Sequence, residues 1–407
     1  MIIMDHISLQ DLKKRWDRCR RLLEAHVPGA EGIVVFSRLN IYYFTGTFGN
    51  GLFWLPLDGE PVLLCRRGWE RAKLESPLAT IVPFATYRDV EGVLRETASP
   101  IGKRIAVEMN GLSWTLGNSF QKYLPGREFL TGDRVLSMTR SRKTAWELER
   151  LRLAGKKHEA CLVELLPPLL RKGMTEMEIA RAISHLFFSQ GHHGILRMEN
   201  YGEEVYLGHI SIGESGNYPS VFNGPLGLRG VHPAVPHMGS NHVHWEKGEP
   251  LSVDNGFTHE GYMTDKTQVY WLGDRSSIPA GVLAAHECAT EIQARIAASL
   301  KPGTRPSDLW EESLEAAKKN GFEEGFMGLG RNKVPFVGHG IGLAIDEYPA
   351  VAKGFDLPLE EGCVLAIEPK IGIPGVGMVG VENTFEVTAQ GGRCMTGDRH
   401  AIICVAG

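Results

Sequence analysis

This chain gives disulfide and zinc-ribbon architecture very little to build on. Its seven cysteines stand at 19, 65, 161, 288, 363, 394 and 404 of 407 residues, odd in number and with no CxxC pair. That scatter argues against a disulfide scaffold and a thioredoxin-type motif, and fits reduced thiols in a cytoplasmic protein. No apolar run in the sequence approaches the roughly 20 residues that span a bilayer, so no membrane association is expected. The start, MIIMDHISLQDLKKRW, carries an early acid and no long apolar core, so no signal peptide is expected either. A net charge of −4 leaves no basic excess for nucleic acid or anionic lipid. What remains is an ordinary globular composition, 43% hydrophobic and 23% charged, in a chain long enough for two domains.

The first third alternates helix and strand signals. Residues 8–26 read as an amphipathic helix. Short apolar runs follow at 32–37, 51–57, 61–67, 80–85 and 104–109, separated by Gly, Pro and Asn. This reads as an α/β domain with a mixed sheet. A basic stretch at 137–150 leads into a long helical pattern, which places the boundary near 140 and divides the chain into 1–140 and 141–407.

The second part contains an internal echo. LRKGMTEMEIARAISHLFFSQG (170–191) aligns without a gap on LKPGTRPSDLWEESLEAAKKNG (300–321), Gly173 on Gly303 and Gly191 on Gly321. Each follows a long helical pattern, about 144–171 and 279–300. Thr175 with Glu178 forms a capping box, and Ser307 is the expected N-cap of the second copy. A duplicated helix pair, each followed by its own strands, predicts two similar halves around one cleft.

Two pairs of acids frame that cleft. Asp254 and Asp265 lie in VDNGFTHEGYMTDKTQV, whose midpoint falls between His259 and Glu260, so a hairpin tip there sets the aspartates directly opposite each other. Like charges at that cross-strand spacing, about 4.5–5.5 Å between Cβ atoms, are destabilising. Glu368 and Glu382 flank a Gly/Pro-rich loop centred on Gly375. Four carboxylates in one cleft call for cations, and about two divalent ions balance them. His339, among the glycines of FVGHGIGL, supplies the nitrogen donor the acids lack. The candidate metal set is therefore Asp254, Asp265, His339, Glu368 and Glu382, which suits Mn²⁺, Co²⁺, Fe²⁺ or Zn²⁺.

DNG…TDKTQ, GHGIGL, IEP and VENTFEV together resemble the motifs of the M24 "pita-bread" metallopeptidases, a group that includes aminopeptidase P, prolidase, methionine aminopeptidase and creatinase. Residues 1–140, with SRLNIYYFTG, resemble the creatinase-type N-terminal domain. The resemblance implies an α+β catalytic domain of pseudo-twofold antiparallel sheets with outer helices, preceded by the smaller α/β domain. It implies a dinuclear centre in which Asp254 chelates one ion, Asp265 and Glu382 bridge, and His339 with Glu368 complete the second. Glu368 then also shuttles a proton, and His237 contacts substrate. A homodimer is implied as well.

The function so implied is hydrolysis of small peptides of Xaa-Pro type, by an aminopeptidase or dipeptidase. Some positions depart from the pattern. Asp346 stands where proline-specific relatives carry a His, Gln268 stands where an Arg is common, and residues 197–227 differ from the usual sequence. Glu199, Glu203, Glu204 and His209 in that stretch either line a distinctive pocket or are solvated. His242 and His244 share an HxH pattern that a second metal site would need. Asp346 as a base opens the alternative of a lyase or non-peptide C–N hydrolase acting on a small charged metabolite, such as a dimethylsulfoniopropionate-type lyase. A binding module without activity is the third reading.

Overall fold

The computed structural model describes residues 6–110, 112–200 and 202–406. The chain divides into two compact units, residues 1–140 and 141–407.

The first unit opens with helix α1 (Leu9–His26), whose N-cap Ser8 accepts the Asp11 N–H; Leu12, Trp16, Cys19 and Leu23 recur at helical spacing and are buried. Strands β1 (Gly32–Val35), β2 (Asn50–Pro56), β3 (Val62–Arg67), β4 (Ile81–Pro83) and β5 (Arg104–Val107) fall on the five apolar runs, and β6 (Glu128–Thr131) joins them. Helices α2 (Arg38–Thr45), α3 (Trp69–Glu75), α4 (Val90–Glu96), α5 (Trp114–Tyr123) and α6 (Asp133–Ser141) intervene. The sheet is mixed, in the order β4-β3-β2-β1-β5-β6. Sequence reasoning missed β6 because an edge strand buried on neither face shows no apolar run.

The second unit begins with α7 (Ala145–Glu159), capped by the Thr144–Glu147 box. The long helix expected over 144–171 is interrupted: a π-helical turn spans Ala160–Leu165 and a 3-10 turn spans Pro167–Leu169, where two adjacent prolines deprive the ladder of donors. Helix α8 (Glu176–Ser189) starts at the expected Thr175–Glu178 capping box. Next come β7 (Gly208–Ile212), β8 (Pro250–His259), β9 (Tyr262–Leu272), α9 (Ala280–Ser299) and α10 (Pro306–Lys319). Ser307 is not the N-cap of α10; Arg305 is, because Pro306 takes the first helical position, where its fixed φ and missing N–H cost nothing. Strands β10 (Phe336–Gly340), β11 (Glu347–Ala352), β12 (Val364–Ile367), β13 (Lys370–Ile373), β14 (Gly377–Gly380), β15 (Asn383–Thr388), β16 (Gly391–Cys394) and β17 (Ile403–Val405) complete the unit.

The echo is visible in the backbone. Gly173 and Gly303 both take left-handed φ (84° and 96°), as do Gly191 and Gly321 (84° and 77°). Each copy needs glycine at the same two turns, because a Cβ is strained there. Each helix pair also covers its own sheet. Leu162, Ile179, Ile183 and Phe187 pack on Ile210, Val253 and Phe257, while Ile292, Ile296 and Leu309 pack on Val337, Leu365 and Ile367. The sheets run β17-β9-β8-β7 and β11-β10-β12-β15-β16, with β13-β14 as a separate ribbon. Apart from the parallel β17-β9 pair, every pairing is antiparallel.

Candidate metal centre

The β8–β9 hairpin turns at Glu260–Gly261, both with positive φ (48° and 83°), as the tight turns of two-residue hairpins require. The expected tip was one residue too early. The register therefore pairs Asp254 with Thr267 and Asp265 with Gly256, so the aspartates are diagonal rather than opposed. An offset of two residues keeps strand parity, and both carboxylates still leave the same face. The other hairpin is centred on Gly375: Ile367 pairs with Asn383 and Lys370 with Gly380, which brackets Glu368 and Glu382 between the two ladders. The halves are stitched together here. Thr267 N–H donates to the Glu382 carbonyl, Thr267 Oγ1 lies 3.1 Å from Glu382 Oε2, and Asp265 N–H donates to Thr384 Oγ1 at 2.9 Å.

All five candidate ligands converge. His339 Nε2 lies 3.5 Å from Glu368 Oε1 and 3.8 Å from Glu382 Oε1. His339 Nδ1 lies 3.1 Å from the Gly340 carbonyl; donation there leaves the Nε2 lone pair facing the acids. One donor atom each from Asp265, His339 and Glu382 fit within 4.8 Å of one another, a spacing suited to a shared metal ion. Asp254 joins through a residue the sequence reading did not weigh. The Lys370 ammonium sits 3.2 Å from Asp254 Oδ2, 2.9 Å from Glu368 Oε2 and 2.7 Å from Glu382 Oε2, with its side chain 1% exposed. The signal was legible: Lys370 is two residues beyond Glu368, and extended chain returns to the same face every second residue.

The electrostatics call for more positive charge than Lys370 supplies. Burial drives the Asp265 carboxyl well above its usual range, and the Asp254 charge adds to it. Burial and the Asp265 charge do the same to Glu382. Burial pushes Asp254 up most strongly of any single cause, but the adjacent ammonium, hydrogen bonds with Glu382 and Thr267 and the His209 charge together hold that carboxyl below its usual value. Buried acids forced toward neutrality mark a place where a cation is favoured.

Two histidines stand beside Asp254. His209 is its cross-strand neighbour on β7, and burial pulls its imidazole down to about 4. The strand bridge between His209 and Met238 brings His237 alongside. His209 Nε2 and His237 Nδ1 have no hydrogen-bond partner among the described residues. His209, one of two fates open to it in the sequence, is thus a buried wall of the centre and not a solvated side chain.

Asp346 is half-buried and engaged. Its Oδ1 accepts the Glu199 N–H at 2.6 Å and its Oδ2 accepts from Asn200 Nδ2 at 3.1 Å. It holds the 197–200 segment against the loop that follows His339. Asn200 Nδ2 donates to the Glu203 carboxylate, a local bond, and Glu204 is exposed. Gln268 faces away from the centre and donates to the Ala401 carbonyl, and His244, exposed, lies 2.9 Å from the Gly173 carbonyl through Nδ1.

A two-sheet cleft that gathers four carboxylates, an imidazole and unpartnered histidines defines a metal-dependent enzyme rather than a structural ion site. The sequence profile of metallopeptidase family M24 matches residues 149–389, and that of the creatinase/prolidase N-terminal domain matches residues 15–142. This chain belongs to metallopeptidase family M24. It is 24% identical to the Xaa-Pro dipeptidase of Pyrococcus furiosus, over 95% of this chain and 98% of that one. It is 27% identical to the Xaa-Pro dipeptidase of Lactobacillus delbrueckii subsp. lactis, over 89% and 92%. Among solved structures it resembles dipeptidase PepE from Mycobacterium ulcerans (TM-score 0.79, 22% identity, 99% and 100% covered). It also resembles an Xaa-Pro dipeptidase from Bacillus anthracis (TM-score 0.78, 21% identity, 97% and 100% covered).

Proposed function

We propose that this protein is a metal-dependent hydrolase of small peptides with proline after the scissile bond, a dipeptidase or aminopeptidase. The observation that supports it most is the convergence of Asp254, Asp265, His339, Glu368 and Glu382 in one buried cleft of a family M24 fold. Those five residues would hold divalent metal, with Mn²⁺, Co²⁺, Fe²⁺ and Zn²⁺ all compatible with an oxygen-rich set containing one imidazole. When bound, such an ion supplies Lewis acidity toward a peptide carbonyl and toward water.

The chain's own residues do the rest. Glu368, with Oε1 facing His339 and Oε2 facing Lys370, takes a proton from the attacking water and returns it to the leaving nitrogen. His237, with Nδ1 uncommitted, is placed to donate to the substrate or to the oxygen that gains charge. Asp346 acts through the 197–200 segment it fastens. That engagement weighs against the lyase alternative, which needs Asp346 as a free base, and the named relatives are peptidases. A cytoplasmic setting belongs to the same reading and draws on seven free cysteines. A homodimer rests on family likeness alone, and sedimentation tests it. The decisive experiment is a panel of Xaa-Pro dipeptides and longer peptides assayed with each of the four metals. Turnover of none of them, with turnover of a charged non-peptide amide instead, would overturn the assignment.

A further inference from the structure

We infer that this centre holds a single divalent ion, on Asp265, His339 and Glu382, and that the Lys370 ammonium takes the place of a second ion beside Asp254. The inference rests on the metallopeptidase reading but departs from the dinuclear centre expected from the sequence, which balanced four carboxylates without counting Lys370. The donors divide into two groups. Lys370 Nζ binds Asp254 Oδ2, Glu368 Oε2 and Glu382 Oε2. The opposite oxygens, Glu368 Oε1 and Glu382 Oε1, face His339 Nε2, and Asp265 completes that side. Each glutamate thus spends one oxygen on the ammonium and keeps the other for a metal.

A second ion would need the oxygens the ammonium already holds. Metal–carboxylate bonds of about 2.0–2.2 Å would set a dication in contact with Nζ, and like charges at that range repel strongly in a buried site. Lys370 has no easy retreat. Its side chain is almost fully buried, and its stem passes over Gly380, where a Cβ would come 3.1 Å from Lys370 Cγ. Glycine at 380 lets the two backbones close here, since a Cβ would meet the Pro369 carbonyl oxygen and Lys370 Cα before the Lys370 stem. The charges agree: four carboxylates and one ammonium leave −3, one dication brings the set to −1, and two would carry it past neutrality to +1. The remaining −1 suits the α-ammonium of a peptide substrate.

The test is metal stoichiometry, which needs no substrate. Chelator-treated full-length protein is titrated with Mn²⁺, bound metal is measured after equilibrium dialysis, and spin coupling is read by electron paramagnetic resonance. The wild type should bind one ion per chain with the spectrum of an isolated ion. Lys370→Gly and Lys370→Met should admit a second ion and show a coupled pair. Should both variants fail to fold, Asp254→Asn decides: it leaves one ion bound if the inference holds, and lowers two to one if the centre is dinuclear. Two coupled ions in the wild type, or none, overturns the inference. One bound ion with no peptide turnover on the panel would sink the Xaa-Pro reading while leaving this one standing; two ions with turnover would do the reverse.

Discussion

Lys143 Nζ lies 3.1 Å from Glu347 Oε2, and both side chains are almost completely withdrawn from solvent, at 1% and 2% exposure. The other oxygen, Glu347 Oε1, accepts the N–H groups of Leu343 and Ala344 at 2.9 and 3.1 Å. The pair therefore shapes the loop just beyond His339, and Gly342 stays glycine-tight against it, since a Cβ there would meet Glu347 Oε2 at 2.9 Å and Lys143 Cε at 3.0 Å.

Removing the ammonium leaves the buried Glu347 carboxylate without the charge that Lys143 sets against it. Lys143→Met is expected to cost about 3–5 kcal/mol of stability, read by urea denaturation. The double variant Lys143→Met with Glu347→Gln should recover part of that loss, because Gln keeps an acceptor for Leu343 and Ala344 without the charge. A loss in the single variant below about 1 kcal/mol, the range of exposed pairs, would show that the loop does not depend on this charge.

Metal removal is the plainest check on the centre. Dialysis against a chelator should abolish Xaa-Pro turnover, and Mn²⁺ or Co²⁺ should restore it. His339→Ala removes the one nitrogen donor, whose Nε2 faces Glu368 and Glu382. Loss of groups that merely orient a ligand costs about 10–100-fold in metal affinity, so loss of the ligand itself should cost at least that much. Full activity after exhaustive chelation would contradict a metal-dependent reaction.

Asp346 should act as a fastener. With Asp346→Ala, the Glu199 N–H and Asn200 Nδ2 lose their acceptor, while Ile345 N–H still donates to the Arg197 carbonyl at 2.8 Å. A hydrogen bond to a charged group contributes about 1.5–3 kcal/mol, so amide exchange at Glu199 should rise by roughly tenfold or more. Turnover should fall mainly through KM if the segment borders the substrate. Unchanged exchange at Glu199 would separate Asp346 from that segment.

Much of the centre was legible because it obeys local periodicities. Midpoint arithmetic located the loop at Gly375, where the ladders on both sides of Glu368 and Glu382 share one register. It misses the tip between Asp254 and Asp265 by one residue, because the positive-φ turn falls at Glu260–Gly261, off the midpoint of the two acids. Lys370 lies outside the pattern of acids and histidines that marks a metal set, although strand parity carries it to the same face as Glu368. For His209 the sequence leaves pocket wall and solvated side chain both open: its neighbours come from β8 and from Met238, and only a register through a long irregular connection sets them side by side. The interruption of the long helix after Glu159 was signalled by Pro167 and Pro168, but the π-turn ahead of them has no such mark.

Acid sensitivity should trace in part to His192. Its Nδ1 accepts the Thr258 N–H at 2.9 Å, and its ring lies among Phe187, Phe188 and Phe257. Burial, with a smaller contribution from His193, pulls its pKa from 6.5 to about 4. The sign follows from linkage. Above pH 6.5 the ring is neutral in both states and its contribution is complete; between 6.5 and about 4 the unfolded chain binds a proton that the folded chain refuses, so stability falls with pH; below about 4 the loss levels off. One such proton steepens the dependence by at most about 1.4 kcal/mol per pH unit. His192→Gln keeps an acceptor for the Thr258 N–H and cannot titrate. Denaturant melts of wild type and variant across that window should differ in slope, the variant being shallower, because other buried histidines contribute equally to both. Parallel slopes would mean that His192 takes up its proton in the folded state as readily as in the unfolded chain, and that the aromatic cage does not exclude the charge.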